Sequence, residues 1–370
     1  MKARPQNIPY NRLLVIMPGL LGEAVMATAT LNALRGAQLD ANITVLVKRR
    51  LRPVLYGLSY VDRIWSIRKR SEHKGEGRSS KSRASVIRLG KRLSRANFDT
   101  AVILPLSFRA AALPAVAGIP RRLGYEHDRR GVLLTDRLIP PRNRGEKPRS
   151  ASIDSYLALA RYMGAKHPSG RMQLVLKPEA THQLETHLKK AGISQPTQEL
   201  LLVNPGAPSS ARRWSPRRMA HLCEMLSDRY SLTPVVTGTP SERRVVRELL
   251  DRATVPIVDL PELGRDLHLL KAMVARSRMM VTNDTGPRFL AAAMGIPVLT
   301  LFGPTSPQGS GLSLSHEEQV VSDGISVADM HDRGFKGRAS LDLLHADEVF
   351  EHASQLYETT RRLHVTGTHD

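Results

Sequence analysis

The sequence predicts an α/β protein made of two Rossmann-like domains in tandem. Three observations carry that expectation. Short apolar runs of strand length alternate with stretches of helical periodicity from Leu13 to Phe302, and such alternation packs as a parallel sheet with helices on both faces. In each half an apolar run is followed by a glycine-bearing turn, Pro18–Gly22 in the first and Thr282–Gly286 in the second, where open α/β sheets hold ligands. A chain of 370 residues is long enough to fold around two cores.

Composition narrows the class. Hydrophobic residues are 41% and charged residues 24%, as in ordinary globular domains, and no apolar run approaches the ~20 residues of a membrane span. The start, MKARPQNIPYNRLLVIMPGLLGEAV, is basic and then apolar, but Pro18, Gly19, Gly22 and Glu23 interrupt it without a clean cleavage site. A cytoplasmic start is therefore expected. The single cysteine, Cys223, rules out an internal disulfide and a cysteine-built zinc site. No paired-carboxylate motif calls for a metal ion, and neither a metal nor a cofactor is expected.

The net charge is +21, which draws a chain toward polyanions. Much of it lies between Arg68 and Arg95, with eleven Lys/Arg against Glu72 and Glu76. Nucleic-acid binding calls for aromatic residues among the basic ones; this stretch has none, and aromatics are 4% of the chain. Contact with an anionic inner-membrane face and a solvated loop with no partner are the two readings left open.

In order, Leu13–Met17 reads as a strand, Pro18–Gly22 as a glycine loop and Glu23–Arg35 as a helix. The loop lacks the third glycine of a dinucleotide fingerprint. Ile43–Val47 is a strand, Leu51–Leu58 a short helix and Ile64–Ile67 a strand leading into the basic stretch. Val86–Leu93 is helical, Ala101–Leu104 a strand and Ala110–Ala117 a helix. Pro140–Pro148 is a proline-rich loop, Ser152–Met163 a helix, and Gly164–Met172 opens the linker.

The second domain begins near Gln173, with a helix at His182–Ala191, a strand at Leu200–Val203 and a loop at Asn204–Ala211. Ser215 caps a helix whose apolar face holds Met219, Leu222, Cys223 and Leu226. A strand at Pro234–Thr237, a loop at Gly238–Glu242 and a helix at Glu242–Asp251 follow. Val255–Val258 is a strand and Leu267–Val274 a helix. Met279–Val281 opens the next βαβ unit, with Pro287 suited to a first turn, a helix at Arg288–Met294, Gly295 to end it, and a strand at Val298–Phe302. The turn between them offers unpaired N–H groups and the positive end of a helix dipole to an anion, typically phosphate; Asp284 or Thr285 could equally be a plain cap. Ala346–Leu363 is an amphipathic final helix.

The wording is more specific than the chemistry. VTNDTGPRFLAAAMGIPVLTLFGPTSP resembles the donor-binding signature of the heptosyltransferases (glycosyltransferase family 9), which pass heptose from ADP-heptose to the lipopolysaccharide inner core. The run from FDTAVILPLSFRAAALPAVAGIPRRLGY to GVLLTDRL is similar to their first domain, and the resemblance covers most of residues 12–310. It implies a GT-B architecture, two Rossmann-like domains facing a central cleft: an acceptor domain at 1–172 with a basic loop at 68–95, a donor domain at 173–345, and a C-terminal helix and tail at 346–370.

It also implies roles. Glu23 stands where the family's loop has an Asp placed to deprotonate the acceptor hydroxyl, with Gly22 beside it; read alone, Glu23 is a first-turn acid favouring the helix dipole. Arg109, Arg121 and Arg122 would line the acceptor side, where guanidinium forks grip phosphate or carboxylate; read alone, they are solvated arginines. NPGAPSSARRW, containing Gly206, resembles the family's Pro-Gly…Lys-x-Trp segment. Arg212 takes the place of the lysine that meets the donor phosphates, keeping the charge but not the geometry. Gly238–Glu242 matches the adenine-and-ribose region, where Thr239 and Glu242 would meet the donor and Glu242 would accept from ribose. Asp284, Thr285 and Gly286 would hold the diphosphate. Phe289 stands where many members have His.

The resemblance therefore implies a metal-independent, inverting transfer of heptose, or a related sugar, from an ADP-heptose-like donor to an anionic inner-core glycolipid. Its setting would be cytoplasmic and peripheral to the inner membrane. The three departures (Asp to Glu, Lys to Arg, His to Phe) motivate an alternative, a degenerate member that binds a nucleotide or anionic glycolipid without turnover.

Overall fold

The computed structural model describes residues 9–67, 88–140, 152–303, 316–321 and 338–366. The chain divides into two compact units, Met1–Val175 and Leu176–Asp370. Each is built on a six-stranded, all-parallel sheet.

In the first unit the strands are β1 (Arg12–Ile16), β2 (Asn42–Lys48), β3 (Arg63–Ile67), β4 (Thr100–Ile103), β5 (Arg121–Tyr125) and β6 (Asp136–Leu138), in spatial order β3-β2-β1-β4-β5-β6. Between them run α1 (Leu21–Ala37), α2 (88–94) and α3 (Phe108–Val116), and α4 (Ile153–Tyr162) packs against α1. β1, β2 and β4 are apolar and buried along nearly their whole length, as strands covered on both faces must be. Leu14, Ile16, Leu46, Ala101 and Ile103 meet Leu93, Phe98, Ala111 and Leu113 on one side of the sheet.

The second unit has α5 (Pro178–Lys190), β7 (Leu200–Asn204), α6 (Pro216–Tyr230), β8 (Thr233–Val236), α7 (Arg243–Leu250), β9 (Val258–Asp259) and α8 (Leu267–Arg276). β10 (Met279–Asn283), α9 (Gly286–Ala293), β11 (Val298–Phe302), β12 (Glu317–Val321), α10 (Arg338–Leu343) and α11 (Ala346–Thr366) complete it. Its strand order is β12-β11-β10-β7-β8-β9, the same winding as in the first unit. In both sheets the order reverses between the first and fourth strands, at β1/β4 and at β7/β10. The crevice outside the carboxyl ends of those strands is where such sheets take ligands. α11 lies on α6, where Val349, Ala353 and Tyr357 join Trp214, Met219, Cys223 and Leu226 in the core.

Several expectations needed correction. Pro53 has no N–H to donate, and the stretch expected as a helix at Leu51–Leu58 closes instead into a 3-10 turn, Arg49–Leu55. α5 starts a turn earlier than expected, with Pro178 in its first turn. The strand expected at Val255–Val258 is only Val258–Asp259, because Pro256 cannot join the ladder. β10 continues two residues past Val281, and its polar tip Thr282–Asn283 is buried. β5, β6 and β12 were not expected. The loop at Pro140–Pro148 falls outside the described residues except for Pro140, as does the basic stretch up to residue 87. No helix among the described residues is long and apolar enough to cross a membrane.

Candidate functional site

The loop after β1 leads directly into α1, whose first turn holds Leu21, Gly22 and Glu23. Gly22 is buried and Glu23 half-buried. The Gly19 carbonyl accepts from Lys48 Nζ at 3.3 Å and from Arg50 Nη2 at 3.0 Å, so residues at the end of β2 and just past it fasten the loop. Burial raises the Glu23 carboxyl above the ordinary carboxylate value, and a backbone hydrogen bond from Leu20 and the charge of Lys48 partly offset it. The group is thus a half-desolvated carboxylate, more basic than a surface one. Tyr156 of α4 stands close enough for the Glu23 charge to raise its phenol further.

Arg109, exposed in the first turn of α3, follows β4 and so stands at the same carboxyl edge of the sheet as the loop after β1. Ser107 caps that helix by accepting from Ala110 N–H. The preceding bend is held by Arg130, a fully buried guanidinium that donates to the carbonyls of Pro105 and Tyr125. No signal marked Arg130 in the sequence, since it sits among other arginines.

Arg121 and Arg122 are elsewhere. They open β5, in register with Thr100 and Ala101, and therefore lie toward the amino edge of the sheet, away from the Pro18–Gly22 loop. Both side chains are also engaged. Arg121 is 9% exposed and pairs with Asp136, with Nη2 at 3.3 Å, while Tyr162 donates to the same carboxylate. Arg122 donates to the carbonyls of Leu133 and Ile119 at 2.7 and 2.5 Å. The structure does not bring these two arginines to the crevice.

In the second unit the expected residues do converge, along the carboxyl edge of β7, β8 and β10. Arg212 Nη2 donates to the Asp284 carbonyl at 2.9 Å and to its carboxylate at 2.5 Å, so the guanidinium is held against the amino end of α9. The other Asp284 oxygen accepts from Arg288 at 2.9 Å. Thr285 precedes α9 but does not cap it with its side chain. Its hydroxyl instead accepts from Asn204 Nδ2 at 2.8 Å. The N–H of Gly286, the first residue of α9, has no carbonyl within the helix to bind, and Pro287 has no N–H at all. That end is a place for an anion, with the Arg212 charge beside it.

Two asparagines the sequence reading passed over fix the frame. Asn283 accepts from Trp214 N–H at 2.9 Å and donates to the carbonyls of Pro205 and Gly206 at 3.0 and 3.1 Å. Asn204 donates to both Thr282 and Thr285. Both are buried, and the loop carrying Gly206 and Arg212 is thereby tied to the tip of β10. At Gly206 a side chain would collide with the Glu242 carboxylate. Glu242 closes a capping box with Thr239, accepting from its N–H at 2.8 Å and its hydroxyl at 2.6 Å. Thr239 and Glu242 thus flank Gly206, though one Glu242 oxygen is already occupied. Phe289 is 9% exposed and lies under the Arg288 guanidinium, 4.7 Å from ring centre to cation. It packs, and offers nothing polar.

Among the described residues no three His, Cys, Asp or Glu side chains gather as a metal site would require. Cys223 is buried in the core of the second unit, and burial pushes its thiol up to about 12.

Residues 86–333 match the family described as glycosyltransferase family 9 (heptosyltransferase). The lipooligosaccharide heptosyltransferase 2 of Haemophilus influenzae is 28% identical over 309 residues, 80% of this chain and 84% of the relative. The lipopolysaccharide heptosyltransferase 2 of Escherichia coli is 27% identical over 319 residues, 84% of this chain and 87% of the relative. Among solved structures, the ADP-heptose lipopolysaccharide heptosyltransferase II of E. coli superposes with a TM-score of 0.74 at 22% identity, covering 95% of this chain and 99% of that one. A family 9 glycosyl transferase from Veillonella parvula gives 0.80 at 20% identity, over 96% and 99%. The fold of these neighbours is GT-B, as the sequence led us to expect.

Proposed function

Because the chain belongs to glycosyltransferase family 9, we propose that this glycosyltransferase moves a heptose from ADP-heptose, or a close nucleotide-sugar relative, to a lipopolysaccharide inner-core acceptor. The observation that carries the proposal is the amino end of α9 with Arg212 fastened beside it by Asp284. A diphosphate there meets the positive end of the α9 dipole, the Gly286 N–H and a guanidinium, which stabilise the charge that develops as it leaves.

The reaction balances without a metal ion. The acceptor hydroxyl oxygen attacks the anomeric carbon from the face opposite the diphosphate, and the bond from that carbon to the phosphate oxygen breaks. The nucleoside diphosphate departs with the electron pair, and the configuration inverts. Glu23 takes the hydroxyl proton as attack proceeds. A carboxylate made more basic by burial suits that role and favours turnover over the binding-only reading. Gly206, Thr239 and Glu242 stand on the nucleoside side of the donor and Arg109 on the acceptor side. Arg121 and Arg122 have no part in it. The basic excess of the first unit would hold the enzyme against an anionic membrane that displays the glycolipid.

The test is transfer of label from ADP-heptose to purified inner-core acceptor by the native protein and by Glu23→Gln. The proposal expects product from the native protein and a severe loss in the variant. Equal turnover by both would remove Glu23 from the mechanism. A melting shift with ADP but no product from either would support the binding-only reading.

A further inference from the structure

Behind the candidate diphosphate site lies a second ion pair that none of the chemistry above uses. Arg288, the third residue of α9, is 0% exposed. Its Nε lies 3.2 Å from Glu317 of β12, whose side chain is likewise 0% exposed. Glu317 is itself held in place, since it accepts from Thr300 Oγ1 of β11 at 2.6 Å and from Gln319 Nε2 at 2.9 Å. The rings of Phe289 and Phe302 flank the guanidinium at 4.7 and 5.0 Å. Through Nη1 Arg288 reaches Asp284 at 2.9 Å, and the other oxygen of Asp284 receives Arg212.

We propose that the buried Arg288–Glu317 pair is a positioning device for Arg212: it fixes the Asp284 carboxylate, and Asp284 in turn aims the Arg212 guanidinium at the donor diphosphate. This deepens the functional reading and rests on it. A fully buried ion pair is a poor source of stability, because both charges lose their water. Its geometry, by contrast, is constrained, since the planar guanidinium lies against two rings, hydrogen-bonds Asp284 through Nη1 and faces the Glu317 carboxylate with its Nε as an ion pair. The four side chains alternate in sign from Glu317 through Arg288 and Asp284 to Arg212. Arg288 therefore holds the Asp284 charge from behind, as an outer partner orients an inner ligand, and Arg212 is left at the mouth.

A coupling experiment separates this role from a merely structural one. The paired variant Arg288→Met with Glu317→Gln leaves no lone buried charge, because Asp284 keeps Arg212. Calorimetric titration with ADP is run on the native protein, the paired variant, Arg212→Ala and the combination of all three changes. The paired variant should bind ADP about tenfold more weakly, while adding it to Arg212→Ala should cause little further loss, because interacting residues are not additive. Equal weakening in both backgrounds, or none in either, overturns the proposal. Glu317→Gln alone covers the case in which the paired variant does not fold; it should show the same coupling at smaller size, and additivity there is equally fatal. A readout without ligand accompanies these. Amide exchange at Asp284, whose N–H donates to the Leu301 carbonyl at 3.1 Å, should quicken in the variant while the β7 and β10 interiors stay protected, and unchanged exchange counts against the proposal. If the native protein binds no ADP, the functional reading fails, and the exchange result judges the positioning device separately.

Discussion

Arg212 grips Asp284 twice through one nitrogen, at the backbone carbonyl and at the carboxylate, 2.9 and 2.5 Å away. The loop after β7 and the turn after β10 are consequently one unit of structure, although 72 residues separate them in sequence. The charge that would meet a diphosphate is placed by the same residue that begins the turn into α9.

Glu23→Gln should lower kcat by about 10²–10⁴ with little change in donor KM, since it removes a proton acceptor and leaves the second unit untouched. The native enzyme's pH profile tests the same group. Burial raises its carboxyl, so the proton-free form that would accept the hydroxyl proton is lost at a higher pH than for a surface glutamate. The acid limb of kcat should therefore lie above the ordinary carboxylate value and vanish in Glu23→Gln. Initial rates across pH check both, and an acid limb unchanged in the variant would assign it to another group.

Arg121→Ala and Arg109→Ala should behave oppositely. Arg121 and Asp136 are each only 10% exposed in their side chains, and stranding the acid should cost roughly 3–5 kcal/mol of stability. Folded Arg121→Ala should keep the native acceptor KM. Arg109 is exposed at the carboxyl edge after β4, so on the proposed reading its truncation should raise acceptor KM without moving the urea midpoint. Unfolding curves and acceptor titrations for the two variants decide this.

Asn283→Ala leaves the Trp214 N–H and two loop carbonyls without their partner. Orphaned buried groups of this kind should cost about 2–4 kcal/mol in urea unfolding. A variant as stable as the native protein would mean that Asn283 does not hold the loop.

Lys271 is buried on α8, and burial lowers its ammonium from 10.5 to about 8. The folded value lies below the unfolded one, so between them the unfolded chain binds more protons and stability rises with pH. Below about 8 the full cost of burying the charge is felt. Lys271→Met should accordingly raise Tm at pH 7, by on the order of 2–4 °C, and the gain should shrink as the pH approaches 10.5. A lower Tm at pH 7 would show that the ammonium holds its surroundings together.

What the sequence disclosed follows from what local patterns encode. The buried strands Leu13–Ile16 and Leu200–Val203 are uninterrupted apolar runs, Val298–Phe302 is broken only by Thr300, and the turn residues Pro18–Gly22 and Asp284–Gly286 punctuate them, so the winding and the two ligand edges were legible. Thr239 and Glu242 form a capping box, a pattern of Thr followed three residues later by Glu that a local reading could have named. Strands whose first residues are charged were missed. β5 begins Arg121-Arg122 and β12 begins Glu317-Glu318, and both look like solvated loop. Missing β5 put its arginines at the wrong edge, because which end of a parallel strand a residue occupies cannot be judged until the strand is seen. Arg288 and Glu317 are buried among partners from α9 and the turn before it, from β11 and from β12, each other included, and no period or spacing announces such a pair.

The most direct measurement is a calorimetric comparison of ADP with AMP on the native protein and on Arg212→Ala. The account predicts that ADP binds far more tightly than AMP, and that Arg212→Ala weakens ADP about 10- to 100-fold, as loss of a charge-assisted contact should, while AMP changes little. Equal affinity for the two nucleotides, with no effect of Arg212→Ala on either, would mean that the second phosphate does not rest at the amino end of α9.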